Sequence, residues 1–297
     1  MNSRFLLLVV LAFSSGCMRL DDNLYNLGEK ITEYKRDAYT GVQDFILPDS
    51  YRIPDSLIYE FTLASKYPGE TQPTKIYATY IGHLSRIPVD TVIMYCQGNK
   101  WHMDFYWQRA KLIANTGGKN RFGVLMLDYR GYGLSEGKPT EEGLYADVGA
   151  GLDWLAARGL ADERLVMYGF SMGSAPATKL TADPHTLKPS ALVLEAPFAS
   201  ADVMVQDASG IAMPGSFVTN LKINNAEEIK KVTCPFLWMH GTKDDFLNIQ
   251  THGEVVFKNY HGTQGVSYRV EGAGHGSVPQ TMGFDAYEKA LLYFITM

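Results

Sequence analysis

The sequence lacks the features that mark several large classes of protein. It contains three cysteines, none spaced as a pair, and no His-x-x-x-His pattern, so no metal-ligand motif is present. No dinucleotide-binding glycine fingerprint follows the first strand. The formal net charge of −5 supplies no basic surface for nucleic acid. We therefore expect a protein that uses neither metal nor cofactor and does not bind nucleic acid.

A hydrophobic run long enough to cross a bilayer is also missing, because the N-terminal apolar run, residues 5–13, is too short. It is followed by Ser14-Ser15-Gly16-Cys17, which resembles the processing site of a bacterial lipoprotein. The resemblance implies removal of residues 1–16, lipidation of Cys17 and a membrane-anchored place in the bacterial envelope. Residues 17–51 are interpreted as a tether and peripheral segment. The alternative is an ordinary secretory signal with an incidental cysteine.

The other two cysteines are predicted to stay unpaired. Export would permit a disulfide. However, Cys96 falls near the C-terminal end of its predicted strand, and Cys234 just before the start of another. Those positions lie at opposite edges of a parallel sheet, beyond the limit of roughly 7 Å between bridged Cα atoms. We interpret both as small hydrophobic residues.

From about residue 57 onward, apolar strand-like runs alternate with helical segments. The predicted strands are residues 57–63, 76–81, 89–95, 122–127, 165–168, 191–194, 235–239 and 266–270. The first two are expected to pair antiparallel. Continuous apolar strands alternating with helices indicate a mostly parallel sheet that is covered on both faces. We predict one α/β domain over residues 52–297.

Residues 166–175 are the stretch around which the other motifs are interpreted. An apolar strand leads into Gly169-Phe170-Ser171-Met172-Gly173, and small residues then begin a helix. This context predicts a nucleophile elbow that presents Ser171 on a strained strand-to-helix turn. The flanking glycines let the strand and helix approach closely.

Five motifs occur in order along the chain. They are Gln97-Gly98-Asn99, Asp128-Tyr129-Arg130-Gly131-Tyr132-Gly133-x-Ser135, Gly169-Phe170-Ser171-Met172-Gly173, His240-Gly241-Thr242-Lys243-Asp244 and Gly272-Ala273-Gly274-His275. Together they resemble the α/β-hydrolase superfamily, in particular its serine-hydrolase branch with monoacylglycerol-lipase-like and serine-aminopeptidase-like members. The resemblance implies an α/β-hydrolase fold with a short cap insertion at about residues 198–232.

A serine hydroxyl becomes a strong nucleophile only when a base takes its proton. His275, on a glycine-flanked loop after the last strand, fits that role better than the other histidines. The resemblance implies that Asp244 is the carboxylate that orients the base. Asp245 and Glu195 remain alternatives for that acid.

Acyl transfer also needs donors for the oxyanion. We predict the backbone N–H of Met172 and, from the loop after the strand at residues 89–95, that of Asn99. The family usually has His-Gly where this chain has Gln97-Gly98, which leaves the hydrogen bonds of the usual histidine unassigned. The glycine-rich run at residues 128–135 is interpreted as plain turn chemistry rather than as support for the oxyanion strand.

Apolar residues near these motifs are predicted to line a substrate pocket. They are Trp101, Phe198, Met204, Met213 and Phe217. For the cap insertion, a helix that merely covers the sheet edge is an equal alternative. Because the presumed rim is apolar, the favoured function is a serine hydrolase that acts on a carboxylic ester, of acylglycerol, carboxylester or thioester type. A peptidase or acyltransferase of this fold, or a non-catalytic lipid-anchored binding protein, is the alternative.

Overall fold

A computed structural model of the protein describes residues 24–209 and 219–297. In these ranges eight strands form one sheet, in the order β1-β2-β4-β3-β5-β6-β7-β8. The strands are β1 Ile58–Ser65, β2 Thr74–Ile81, β3 Val92–Cys96, β4 Gly123–Leu127, β5 Leu165–Phe170, β6 Ala191–Glu195, β7 Phe236–Gly241 and β8 Gly265–Val270. β2 runs antiparallel to β1 and β4, and all the other neighbouring pairs are parallel. The predicted mostly parallel sheet is confirmed.

Helices cover both faces of the sheet. They are α1 Met103–Asn115, α2 Glu141–Ala156, α3 Ser174–Ala182, α4 Ala201–Ser209, α5 Asn225–Glu228, α6 Gly253–Lys258, α7 Val278–Met282 and α8 Phe284–Ile295. The central strands, β3 to β7, are buried throughout because alternate residues enter two separate cores. In β3, Met94 packs with α2 and α3, whereas Ile93 and Tyr95 pack with α1 and α8. None of the helices in the described ranges has the length and hydropathy that a membrane span requires.

The first strands match the prediction to within three residues at each end, and the largest shift is at the start of β3. β1 pairs antiparallel with β2, with Ile58 opposite Ile81. β3 begins at Val92 rather than at residue 89. Val89 is exposed because it lies in a turn that is closed by an ion pair of 2.6 Å between Arg86 and Asp90.

Residues 24–51, which we name the strap, belong to the predicted tether and peripheral segment, and they pack against the α/β domain. Phe45 and Leu47 are buried against the core beneath α1. Asp37 accepts a hydrogen bond of 3.0 Å from the indole N–H of Trp107 in that helix. Few apolar residues of the strap are buried, and they follow no regular period. No sequence pattern therefore predicts this packing. Residues 17–23, including Cys17, lie outside the described residues.

Cys96 and Cys234 are both free thiols, as predicted. Cys96 is buried at the end of β3, and Cys234 is partly buried just before β7. Burial raises the pKa of the Cys234 thiol to about 11.

Candidate active site

The turn between β5 and α3 holds Ser171 in a strained conformation. Ser171 has a φ of 51°, in the left-handed region that non-glycine residues rarely adopt. The two flanking glycines allow this turn to form. A Cβ on Gly173 would lie 1.9 Å from the carbonyl oxygen of Cys96, and one on Gly169 would lie 2.6 Å from that of Gly173. Strand, turn and helix are therefore packed so closely that side chains at these positions have no room.

Ser171 meets two residues that are far from it in sequence. Its Oγ lies 2.8 Å from Nε2 of His275, and Nδ1 of His275 lies 2.8 Å from Oδ2 of Asp244. The ring of His275 also contacts the rings of Phe170 and Phe246. Because Nδ1–H donates to the carboxylate, Nε2 is left as the acceptor for the serine hydroxyl.

Asp244 is held as an anion by several donors. Its Oδ1 accepts hydrogen bonds from the backbone N–H groups of Phe246 and Leu247, at 3.0 and 2.8 Å. Its Oδ2 accepts a second imidazole N–H, from Nε2 of His240 at 3.0 Å. Burial acts to raise the pKa of Asp244, but the hydrogen bonds from His240 and His275 outweigh it and the pKa is lowered. The side chain therefore stays charged at neutral pH.

Neither of the two alternative acids bonds to His275. Asp245 is exposed and makes no hydrogen bond to His275. Glu195 is buried at the end of β6, where it accepts hydrogen bonds from Arg109 at 2.6 Å, Tyr168 at 2.5 Å and Tyr287 at 2.9 Å. The hydrogen-bond partners of Glu195 are therefore residues outside the chain that joins Ser171, His275 and Asp244.

Two other buried histidines make contacts that do not include Ser171. His252 is buried, and its Nδ1 accepts the backbone N–H of Ala199 at 3.1 Å. Burial lowers the pKa of His252 to about 4. His102 is buried next to the rings of Tyr34 and Tyr39.

The loop after β3, residues 97–101, is held mainly by its side chains. The amide of Gln97 donates to Asp128 at 2.6 Å, and the carbonyl of Gln97 accepts the hydroxyl of Tyr129 at 2.9 Å. The Oδ1 atom of Asn99 accepts the hydroxyl of Tyr132 at 2.5 Å. Gln97 thus makes a buried side-chain bond at the position where the family usually has histidine.

These contacts correct the interpretation of residues 128–135 as plain turn chemistry. Gly131 and Gly133 do have positive φ, as a tight turn requires. The same turn, however, supplies Asp128, Tyr129 and Tyr132 to the loop after β3. It therefore supports the loop that carries the predicted oxyanion donor.

Parts of the chain are similar in sequence to known proteins. The family model described as serine aminopeptidase, S33, matches residues 87–227, a range that includes Ser171 but neither Asp244 nor His275. Alpha/beta hydrolase domain-containing protein 17B of Homo sapiens is 33% identical over 176 residues, which are 58% of this chain and 56% of that protein. Alpha/beta hydrolase domain-containing protein aho-3 of Caenorhabditis elegans is 33% identical over 193 residues, which are 64% of this chain and 54% of that protein.

Solved structures resemble the chain in fold over more of its length. The Pyrococcus furiosus esterase Pf2001 superposes with a TM-score of 0.64 and 16% identity, covering 89% of this chain and 98% of the esterase. An esterase from Exiguobacterium antarcticum gives a TM-score of 0.57 at 17% identity, covering 80% of this chain and 99% of that one. The chain has the α/β-hydrolase fold.

A cavity of about 570 Å³ opens above Ser171. Half of the fourteen side chains that line it are apolar or aromatic: Leu24, Phe105, Tyr106, Phe170, Met204, Val205 and Phe246. The rest are polar, charged or part of the Ser171 hydrogen-bond chain: Asn26, Asp44, Asn99, Lys100, Ser171, Asp245 and His275.

Of the predicted pocket residues, Met204 lines this cavity, and two others do not. Trp101 was wrongly placed: its backbone has a φ of 49°, its ring packs against Gly28, and it faces a separate groove beside the strap. Phe198 was also wrongly placed, because it is buried in the core that α3 covers. Met213 and Phe217 lie outside the described residues.

Sequence reasoning missed Leu24, Asn26 and Asp44, which come from the strap, and it also missed Phe246. Only Phe246 could have been found from the sequence, because it lies two residues after Asp244. No sequence pattern marks the strap residues.

Proposed function

We propose that this protein is an α/β-hydrolase, specifically a serine hydrolase that cleaves carboxylic esters or thioesters through an acyl-enzyme on Ser171. The observation that carries the proposal is the unbroken chain of hydrogen bonds from Ser171 through His275 to Asp244, at the floor of a cavity. The left-handed backbone of Ser171 supports it as well, because such strain clusters at reactive residues.

In the acylation step, the Oγ of Ser171 attacks the carbonyl carbon while Nε2 of His275 takes the hydroxyl proton. The oxyanion that forms accepts hydrogen bonds from the backbone N–H groups of Met172 and Asn99. A donor of this kind lowers the activation barrier by about 3–4 kcal/mol. When the C–O or C–S bond breaks, His275 returns the proton to the leaving alcohol or thiol.

Deacylation repeats the chemistry with water. His275 removes a proton from the water molecule that attacks the acyl carbonyl, and then returns it to Oγ of Ser171. Asp244 remains ionised throughout and stabilises the imidazolium. The lowered pKa of Asp244 suits that role, because a carboxylate that protonated would lose its hold on the ring.

The acyl group is expected to occupy the apolar side of the cavity, between Phe105, Phe170 and Phe246. Lys100, Asp44 and Asp245 lie on its polar side, and Lys100 is the cation among them. A neutral acyl chain therefore fits the walls better than a strongly charged one.

Hydrolysis of p-nitrophenyl butyrate by the purified protein is the first test. Ser171→Ala should abolish it, whereas Ser85→Ala, at an exposed turn, should retain it. Activity that survives Ser171→Ala would reject the proposal. An aminoacyl p-nitroanilide should be a poor substrate, and faster cleavage of the anilide than of the ester would favour the peptidase alternative. Transfer of the acyl group to an added alcohol in preference to water would favour an acyltransferase.

We also propose that residues 1–16 are removed and that Cys17 carries a lipid that anchors the protein to a membrane of the bacterial envelope. Support comes from the small residues that precede Cys17 and from the apolar run at residues 5–13. Globomycin or Cys17→Ser should each change the mass of the processed protein. An unchanged mass would leave only an ordinary secretory signal.

A further inference from the structure

The strap reaches the loop that carries the proposed oxyanion donor. The Oδ1 atom of Asn99 accepts the backbone N–H of Asn26 at 2.9 Å, and its Nδ2 atom donates to the carbonyl of Leu24. The hydroxyl of Tyr132 reaches the same Oδ1 at 2.5 Å. The side-chain amide of Asn99 is therefore bonded both to the strap and to the turn after β4.

A second contact lies two residues further along the loop. The backbone N–H of Trp101 donates to the carbonyl of Asn26 at 2.9 Å. The ring of Trp101 covers Gly28, where an added Cβ would lie 2.3 Å from Cδ1 of the indole. With a φ of 49°, Trp101 adopts a backbone conformation that a bulky residue does not prefer. The loop thus depends on external contacts to keep this shape.

The strap is itself firmly attached, so it can serve as a support. The carboxylate of Asp104, in the first turn of α1, accepts the backbone N–H groups of Lys35 and Arg36 at 2.8 and 2.7 Å. The hydroxyl of Tyr34 donates to Asp128 at 2.6 Å. Asp128 in turn accepts the side chain of Gln97 from the loop. Strap and loop are therefore joined through one buried carboxylate as well as directly.

We propose that strap residues 24–28 are a clamp that holds the oxyanion loop in its reactive position, with the side chain of Asn99 as the positioning residue. The inference rests on the proposed function, which assigns the backbone N–H of Asn99 to the oxyanion. Because that N–H and the clamped amide belong to one residue, release of the amide displaces the donor. A displacement of about 1 Å near the reacting atoms lowers a rate by roughly 100-fold.

Three variants test the clamp and leave every backbone N–H of the loop in place. Asn99→Asp keeps the shape but turns the donor toward Leu24 into an acceptor. Asn99→Ala removes all three bonds, and Tyr132→Phe removes only the bond from the turn. Lys30→Ala, at an exposed strap position that makes none of these contacts, is the control.

For p-nitrophenyl butyrate, we expect kcat to fall roughly 10- to 100-fold in Asn99→Asp and Asn99→Ala, and by less in Tyr132→Phe. KM should change by no more than about threefold. Rates are divided by the amount of enzyme that a fluorophosphonate eventually labels, so a loss of folded protein does not count as a loss of kcat. Lys30→Ala should match the wild type.

Hydrogen exchange measured on a peptide that covers residues 97–101 gives a readout that does not depend on activity. Exchange there should rise in Asn99→Ala and stay unchanged in Lys30→Ala. An unchanged kcat, or unchanged exchange, in a folded Asn99→Ala variant would overturn the clamp. If neither Asn99 variant folds, the same two measurements on Tyr132→Phe decide. Activity that survives Ser171→Ala would instead defeat the proposed function, and the exchange data would still report on the clamp.

Discussion

Nε2 of His240 lies 3.0 Å from Oδ2 of Asp244, the same oxygen that faces Nδ1 of His275. The same Nε2 atom also faces the carbonyl of Leu247 at 2.9 Å. Both partners of Nε2 are acceptors, so this nitrogen must carry the proton. His240 is thus a donor to the proposed catalytic acid.

Asp244→Asn should lower kcat by roughly 10⁴-fold, because an amide there favours the wrong tautomer of His275. His240→Phe keeps the carboxylate but removes one donor, so a smaller loss of kcat is expected. It should also lower the free energy of unfolding by about 1.5–3 kcal/mol, which is typical of a hydrogen bond to a charged group. Ester kinetics and urea unfolding measure the two effects. If Asp245→Asn lost as much activity as Asp244→Asn, the assignment of the acid would be wrong.

A buried ion pair supports the loop that carries His275. Arg109 donates to Glu195 at 2.6 Å and to the carbonyl of Gly276 at 3.0 Å. Arg109→Met should cost about 3–5 kcal/mol of unfolding free energy, since it leaves Glu195 buried and unpaired. It should also lower activity, because Arg109 supports the loop that carries His275. The double variant Arg109→Met/Glu195→Gln should lose less than the sum of the two single losses, and additive losses would show that the pair is not coupled.

Stability should depend on pH through Asp128. Burial raises the pKa of this carboxyl to about 7, against the opposing hydrogen bonds from Tyr34 and Gln97. The folded state therefore keeps a proton that the unfolded state has lost above about pH 4, so this contribution falls as pH rises toward 7. The unfolding free energy of the wild type minus that of Asp128→Asn should drop by roughly 2–3 kcal/mol between pH 5 and 8. Urea unfolding at both pH values measures this, with Asp202→Asn, at an exposed site, as the reference. A difference that rose with pH would contradict the assignment.

The elbow should tolerate no side chain at Gly173. An added Cβ would lie 1.9 Å from the carbonyl oxygen of Cys96, which belongs to β3 and has no room to move. Gly173→Ala should therefore give little soluble protein, or protein with a clearly lowered melting temperature and no esterase activity. Gly149→Ala is the matched control: a Cβ there meets nothing within 4 Å, and it lies inside α2. That change should stabilise the protein by about 0.5–1 kcal/mol. A Gly173→Ala variant as stable as wild type would contradict the geometry of the elbow.

The sequence was enough to predict the sheet and the residues that meet at Ser171. Each of these residues follows a strand, and the carboxyl ends of parallel strands meet at one edge, so local motifs were sufficient to place Ser171, Asp244 and His275 together. The superfamily resemblance then selected Asp244 over Asp245, which the residues alone left open.

What the sequence did not reveal depends on long-range or conformational detail. The strap binds the loop after β3 through backbone groups, at Leu24 and Asn26, and backbone bonds leave no residue pattern. Trp101 and Phe198 were misplaced because single residues of positive φ, Trp101 itself and Ala196, redirect the chain there. No local propensity identifies such turns when glycine is absent.

Peptide mapping of a fluorophosphonate adduct tests the central claim most directly. The reagent should phosphonylate Oγ of Ser171 alone, the adduct should be absent from Ser171→Ala, and it should form far more slowly in His275→Ala. A folded wild-type protein that carries the adduct on another residue, or labels equally fast without His275, would contradict the account.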